Sequence, residues 1–121
     1  MALTLYSYWR ATAPYRVRIA LALKGLAYDY IPVSLPRGEQ RAADYLERNP
    51  QGLTPMLVDG EAAMTQSLSL MEWLDETHPE PPLLPADPAG RQVVRAMAGI
   101  IACDIHPLNN LRIQQQLSAM G

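Results

Sequence analysis

Cysteine and strong charge are both scarce in this sequence of 121 residues. A single cysteine, Cys103, excludes an internal disulfide bond and suits a reducing compartment. The formal net charge is only −2, without a long run of either sign, which argues against nucleic acid or an acidic membrane as a partner. The longest apolar runs are too short to cross a bilayer, and the N-terminus lacks the pattern of a signal peptide. We therefore expect a soluble cytoplasmic protein, and we expect no metal site.

Proline is unevenly distributed along the chain. Five of the 11 prolines lie between residues 79 and 88, a composition typical of a linker between two packed segments. We therefore predict one domain over residues 1–79, a linker over residues 80–88 and the start of a helical domain over residues 89–121. One or two helices cannot bury their apolar faces alone, so we expect a fragment of a two-domain protein, or one completed by a partner chain.

An apolar strand that passes directly into a helix organises the first part of the chain. The strand is predicted over residues 3–8, a compact turn follows, and Pro14 suits the first turn of a helix that Gly25 ends. Thr12 or Ala13 is expected at the cap, with Thr12 the better capping residue. The unpaired N–H groups and the dipole of such a helix end favour a bound anion or thiolate.

The next segments alternate between strand and helix patterns. A strand over residues 28–33 contains Pro32, which indicates an edge strand, and the strand-helix-strand order implies a parallel pair. A helix is predicted over residues 37–47. A hairpin over residues 53–64 follows, and its turn is expected at Asp59 and Gly60. This order predicts the α/β class.

Two further helix starts are visible in the sequence. Gln66 and Ser67 follow a short strand and begin a helix whose N-terminus suits a carboxylate, although the residues alone favour a plain capping pair. After the linker, Asp87 and Pro88 begin a single helical pattern that continues towards the end of the chain. Pro107 is expected to kink this helix near its middle.

Four segments in consistent order carry a resemblance to a known family: YWRATAPYRVRIALALKGLAYDY, NPQGLTPMLVDGE, TQSLSLMEWLDE and CDIHPLNNLRI. Over essentially its whole length the chain resembles the zeta-class glutathione transferases, which include the maleylacetoacetate and maleylpyruvate isomerases. The resemblance implies a thioredoxin-like domain of order β-α-β-α-β-β-α, followed by the first helix of an all-α C-terminal domain. It also implies glutathione as cofactor, a small-molecule diacid as substrate and a homodimer.

The activity that the resemblance implies is the glutathione-dependent cis-trans isomerisation of a maleyl-type diacid in the breakdown of aromatic amino acids. Two alternatives stay open at this point. The same site would also serve ordinary glutathione conjugation or dehalogenation. A thioredoxin-like module that binds glutathione or a partner protein without catalysis is the second alternative.

The resemblance places most of the glutathione site in the first domain. It implies that Pro55 is a cis-proline that exposes the backbone of Thr54 to the cysteinyl amide of glutathione, whereas the residues alone favour a trans proline at an edge strand. It puts the γ-glutamyl carboxylate at Gln66 and Ser67. Gln40 matches the glutamine that reaches the peptide from the second helix of the family fold.

The turn after the first strand departs from the family pattern. Where family members carry a Ser-Ser-Cys type of sequence, this chain has Ala11, Thr12 and Ala13, so no protein thiol acts there. Thr12 is the one hydroxyl left in the turn to stabilise the glutathione thiolate, and helix capping competes for the same oxygen. Arg10 is expected to hold one carboxylate of the diacid.

The last segment of the resemblance adds His106, Asn110 and Arg112. Asn110 is four residues beyond His106, so we expect the two to share a helical face over the glutathione sulfur. Arg112 is expected to hold the second carboxylate, and His106 to transfer a proton or bind glutathione. The alternative is that His106 and Asn110 bond the carbonyls freed by Pro107. Cys103, on an apolar helical face, is expected to be a buried core thiol.

Overall fold

The computed structural model describes residues 2–121 and divides the chain into two compact units, residues 1–83 and residues 84–121. The first unit contains a four-stranded sheet with helices, and the second consists of helical segments. Across the described residues, no helix is long and apolar enough to pass through a membrane.

The first unit has the β-α-β-α-β-β-α order of the thioredoxin-like fold. Its elements are β1 (Leu3–Ser7), α1 (Thr12–Leu23), β2 (Tyr28–Pro32), a 3-10 turn (Glu39–Arg41), α2 (Ala43–Arg48), β3 (Met56–Asp59), β4 (Ala62–Thr65) and α3 (Ser67–Thr77). The strand order is β2-β1-β3-β4, with β1 parallel to β2 and the other pairs antiparallel. The predicted parallel pair, edge strand and hairpin are confirmed.

Apolar side chains cover both faces of this sheet. Successive residues of a strand point to opposite faces, so Leu57 joins one buried cluster and its neighbours Met56 and Val58 join the other. The larger cluster contains buried residues of α1 and α3, including Leu21 and Leu70. The smaller cluster contains Tyr45 of α2. Helices α1 and α3 therefore lie on one face of the sheet, and α2 lies on the other.

Two element boundaries in the first unit differ from the sequence prediction. Helix α1 begins at Thr12, two residues before Pro14, and Ala11 is its N-cap. The helix predicted over residues 37–47 is wrong, because the segment forms the 3-10 turn and then the short α2. Gly38 has a left-handed backbone and Ala42 an extended one, and neither conformation continues an α-helix.

The hairpin is also shorter than predicted. Strand β3 begins at Met56, and Leu53 and Thr54 lie in the loop before it. The Thr54–Pro55 peptide bond is cis. The cis geometry that the family resemblance implied is confirmed. A second cis bond, Glu80–Pro81, lies in the proline-rich segment and was not expected.

The second unit contains α4 (Pro88–Gly99), a π-helical segment (Ile100–Ile105), a 3-10 turn (His106–Leu108) and α5 (Leu111–Ala119). The predicted start of α4 is confirmed, because the Asp87 carboxylate caps it by accepting the backbone N–H of Gly90 at 2.7 Å. The single long helix is wrong, because α4 changes to the π-helical segment at Ile100 and the segment then ends in the 3-10 turn at Pro107, which has no N–H to continue the ladder of hydrogen bonds. Cys103 lies in the π-helical segment and is exposed, so the expected buried thiol is also wrong.

Candidate functional site

The first corner of the site lies between β1 and α1. The backbone N–H of Ala11 donates to the carbonyl of Tyr8 at 3.0 Å, which closes the turn just before the helix. Ala11 is the N-cap and has no side-chain oxygen, so the cap predicted at Thr12 or Ala13 is wrong. Thr12 is instead the first helical residue and is exposed. The first turn of α1, residues 12–15, contains no acidic side chain, so its positive dipole end faces no anion of its own helix.

Arg10 lies on the surface of this corner. Its guanidinium stacks over the indole ring of Trp9, 5.5 Å from the ring centre, and Trp9 is itself 69% exposed. Among residues 2–121, Arg10 forms no ion pair with a carboxylate. An exposed guanidinium beside an aromatic plane suits a planar carboxylate ligand.

The second corner is the N-terminus of α3. Ser67 begins the helix and is buried, and the preceding Gln66 has a φ of 74°, a left-handed value that is uncommon outside glycine. Such a backbone outlier points to a functional constraint. The Gln66 side chain donates to Gln51 Oε1 at 2.7 Å. As predicted from the sequence, the two residues lie at a helix N-terminus.

A cation from α1 reaches this second corner. Arg16 Nη1 donates to Ser67 Oγ at 3.0 Å, across 51 positions of sequence. A carboxylate at the N-terminus of α3 would thus meet a helix dipole and a guanidinium together. The sequence analysis missed Arg16. The spacing offered a signal, because Arg16 is four residues after Thr12 and shares its side of α1.

The third part of the site is the loop from Asn49 to Pro55. The Leu53 carbonyl accepts hydrogen bonds from Tyr45 Oη at 2.5 Å and from Asn49 Nδ2 at 2.7 Å. Burial raises the pKa of the Tyr45 phenol, and the Asn49 hydrogen bond opposes that rise only in part. The hydroxyl therefore keeps its proton and donates at neutral pH. The backbone of Thr54 follows directly after this anchored carbonyl.

Gln40 lies beside the same loop. It belongs to the 3-10 turn and not to α2, so its placement on the second helix is wrong. Its Oε1 atom is buried and has no hydrogen-bond partner among residues 2–121. Its backbone oxygen lies 3.3 Å from the point that a Cβ on Gly52 would occupy. Gln40 is therefore packed against the loop that carries Thr54.

The predicted site residues of the second unit do not form one helical face. His106 lies in the 3-10 turn, while Asn110 is the N-cap of α5 and accepts the backbone N–H of Ile113 at 3.2 Å. Asn110 Nδ2 also donates to the carbonyls of His106 at 3.2 Å and Pro107 at 3.0 Å. The shared face is wrong. The alternative, in which His106 and Asn110 bond the carbonyls freed by Pro107, is met only in that Asn110 bonds two carbonyls of this turn, and these belong to His106 and Pro107 themselves. Arg112 is exposed in the first turn of α5.

Comparison with known proteins identifies the family of this chain. The profile described as "Glutathione S-transferase, N-terminal domain" matches residues 10–82. The chain belongs to the glutathione S-transferase family. The matched range contains Thr12 and Arg16 of α1, Gln40, Ser67 and the loop before β3.

Individual relatives agree with the zeta-class resemblance. A probable maleylacetoacetate isomerase from Vibrio cholerae serotype O1 is 53% identical and covers 98% of this chain and 56% of that protein. A solved zeta-class maleylpyruvate isomerase has a TM-score of 0.93 and 47% identity, covering 97% of this chain and 55% of that one. The zeta-class resemblance and the thioredoxin-like fold are confirmed.

A third relative was solved with ligands. The maleylacetoacetate isomerase of Methylobacterium extorquens AM1, with bound malonate and GSH, has a TM-score of 0.92 and 43% identity, and it covers 97% of this chain and 55% of that one. The present chain thus spans a little over half the length of the relatives that it matches.

Proposed function

We propose that this chain forms the glutathione-binding part of an enzyme that isomerises a maleyl-type diacid from cis to trans in aromatic catabolism. The observation that carries the proposal is the contact of Arg16 with Ser67 at the N-terminus of α3, within a glutathione S-transferase domain. The names of the relatives support the same activity, and one of them holds both GSH and a small dicarboxylate.

The residues of the first unit fit glutathione group by group. Gln66 and Ser67 would hold the γ-glutamyl carboxylate at the N-terminus of α3, where Arg16 adds positive charge. The main chain of Thr54, before Pro55, would pair with the cysteinyl amide. The orphaned and buried Oε1 of Gln40 supports a role for this side chain beside the peptide.

When bound, glutathione supplies a thiol that adds to the substrate double bond and leaves again after the resulting single bond has rotated. The N-terminus of α1 and the Thr12 hydroxyl would lower the pKa of that thiol. Arg10 and Arg112 would each hold one carboxylate of the diacid and stabilise negative charge that develops on the substrate. His106 would transfer a proton or bind glutathione, together with Asn110.

The role of Thr12 can be tested by titration. Thr12→Ala is expected to raise the apparent pKa of the bound thiol while the fold stays intact, because one of its donors is lost. Thiolate absorbance against pH measures this pKa, and Thr77→Ala, at the far end of α3, is the matched control. An unchanged thiol pKa in Thr12→Ala would remove Thr12 from the site.

A non-catalytic glutathione-binding module is the second candidate function. The observation that favours it is the replacement of the family's hydroxyl and thiol side chains by Ala11 and Ala13. Retention on immobilised glutathione tests binding, and loss of the cis-enedione absorbance with catalytic glutathione tests isomerisation. Retention without turnover, in a longer form of the protein as well as in this chain, would support the module and refute the isomerase.

We further propose the domain division 1–79, 80–88 and 89–121, and a cytoplasmic homodimer. Exposed apolar side chains in the second unit support association, since Met97 is 60% exposed and Leu108 72% exposed. Sedimentation equilibrium tests the proposed dimer, and a monomer at every concentration would refute the dimer for this chain.

A further inference from the structure

Two buried side chains tie α2 to the loop that follows it. Tyr45 lies in α2 and Asn49 is its C-cap, and they are 6% and 2% exposed. Because they are four residues apart, their side chains lie on the same side of the helix and converge on one acceptor, the Leu53 carbonyl. Two buried side-chain donors thus occupy both lone pairs of a single loop carbonyl.

The chemistry of the two donors is complementary. The Tyr45 hydroxyl has one proton, which it gives to the Leu53 carbonyl, and its oxygen accepts a weaker contact from Asn49 Nδ2 at 3.4 Å. The two side chains are therefore hydrogen-bonded to each other as well as to the loop. The ring of Tyr45 is in turn packed edge-on against Tyr6 of β1, with ring centres 6.1 Å apart. Tyr45 and Asn49, together with the Leu53 carbonyl that they hold, form an anchor that connects the loop to the central sheet.

The accepting carbonyl belongs to the peptide group between Leu53 and Thr54. A peptide group is planar and rigid, so fixing its oxygen also fixes the Thr54 Cα, from which the Thr54 carbonyl extends as an acceptor for a ligand N–H. Neither Tyr45 nor Asn49 needs to reach a ligand for this effect. Their influence passes through the main chain of Thr54.

The same anchor also sets the place of Gln40. Gly52 has a φ of 65°, and a Cβ there would lie 3.1 Å from Leu46 Cδ2 and 3.3 Å from the Gln40 carbonyl. The loop therefore lies directly against both α2 and the turn that carries Gln40. Holding Leu53 against α2 keeps Gln40 and Thr54 at a fixed separation.

We propose that Tyr45 and Asn49 are positioning residues that hold the Thr54 main chain in register with the cysteinyl amide of glutathione. The inference rests on the proposed function, in which Thr54 is the main-chain partner of that amide. It predicts that the two side chains govern selectivity for the amide and not only the stability of the fold.

The test compares two ligands in two proteins. The 121-residue chain and its Tyr45→Phe variant are titrated calorimetrically with glutathione and with an analogue whose γ-glutamyl-cysteinyl amide N–H is replaced by an ester oxygen. The native chain is expected to prefer glutathione about tenfold, as for one ligand hydrogen bond. Tyr45→Phe is expected to reduce that preference to about threefold, with little change in affinity for the ester.

Two further variants sharpen the result. Tyr6→Phe is the matched control, because it deletes the neighbouring phenol, which serves Arg48 at 2.9 Å, and is expected to leave the preference unchanged. Asn49→Ala is expected to reduce the preference at least as much as Tyr45→Phe does. If it is too unstable to titrate, Tyr45→Phe still decides, because phenylalanine keeps the ring packed.

The outcomes are distinct. A reduced preference in Tyr45→Phe and not in Tyr6→Phe supports the inference. An unchanged preference, or an equal loss for both ligands, shows a merely structural role and overturns it. Failure of the native chain to bind glutathione at all would instead overturn the proposed function, and it is seen before any variant is compared.

Discussion

Replacing Arg16 with glutamine removes the guanidinium that donates to Ser67 Oγ at the N-terminus of α3. A hydrogen bond from this guanidinium to the proposed γ-glutamyl carboxylate would contribute about 1.5–3 kcal/mol to binding, and we take the lower value because Arg16 is only half-buried. A loss of about 1.4 kcal/mol is a tenfold change in an equilibrium constant, so the Kd for glutathione is expected to rise about tenfold. The helix dipole at Ser67 remains, so binding is weakened and not abolished.

The assay must distinguish a lost contact with the ligand carboxylate from a general loss of packing in the fold. Isothermal titration with glutathione is paired with titration of an analogue that lacks the α-carboxylate of the γ-glutamyl group, whose affinity is expected to be insensitive to Arg16→Gln. Arg18→Gln is the control on the same helix, since Arg18 stacks over Tyr15 at 5.1 Å. An equal loss for both ligands would show that Arg16 supports the fold and does not serve the carboxylate, and the assignment of α3 would lose its main support.

Three stability predictions follow from other contacts. Lys24→Met should lower the free energy of unfolding by about 3–5 kcal/mol in urea titrations, because Lys24 is fully buried against Asp75 at 2.6 Å; a loss below 1 kcal/mol would contradict this. Gly52→Ala should cost about 1–2 kcal/mol by thermal melting, from its left-handed backbone and crowding; an unchanged Tm would be the contrary result. Because the folded pKa of Tyr45 is raised, stability present below about pH 10 should fall above it, and less steeply in Tyr45→Phe. Equal slopes would contradict the raised pKa.

Much of the first unit could be predicted because its signals are local. Gly25 and Gly60 have φ values of 66° and 60°, which glycine adopts readily, and they end α1 and turn the hairpin where the sequence analysis placed those features. Pro32 cannot donate to a ladder, and β2 is indeed an edge strand. Each signal acts within a few residues, so no knowledge of distant packing was needed.

The two wrong helix predictions concern segments in which apolar residues keep a helical spacing although the backbone leaves the α-helical conformation. Ala42, Ala43 and Leu46 fit one helix, but Ala42 has an extended backbone between the 3-10 turn and α2. After Gly99 the apolar residues continue at nearly helical spacing, while the backbone changes to π-helix. Spacing alone cannot detect the extra residue of a π-helical turn here, because the adjacent apolar residues Ile100, Ile101 and Ala102 fit a period slightly longer than 3.6 as well as 3.6 itself.

The predictions for the candidate site divide in the same way, into features with local signals and features that depend on distant contacts. Gln66 and Ser67 could be placed at a helix N-terminus from local signals, but the partner Arg16 arrives from a helix 51 positions earlier. The anchoring of Leu53 by Tyr45 likewise depends on how α2 turns back on its own loop. Such contacts are products of tertiary packing, so the sequence could place Gln66 and Ser67 at a helix N-terminus but could not identify the distant side chains that contact such groups.

The residues proposed for glutathione and for the diacid are distributed differently over the two units. Most of the groups proposed to hold glutathione, namely the N-termini of α1 and α3 and the loop at Thr54, lie in the first unit, while His106 and Asn110 belong to the second. Of the residues proposed for the diacid, Arg10 belongs to the first unit, while Arg112 belongs to the second. If this chain binds glutathione tightly without turning over the diacid, its 121 residues are sufficient for binding. The comparison of Arg16→Gln with Tyr45→Phe would then report on two separate ends of the same ligand.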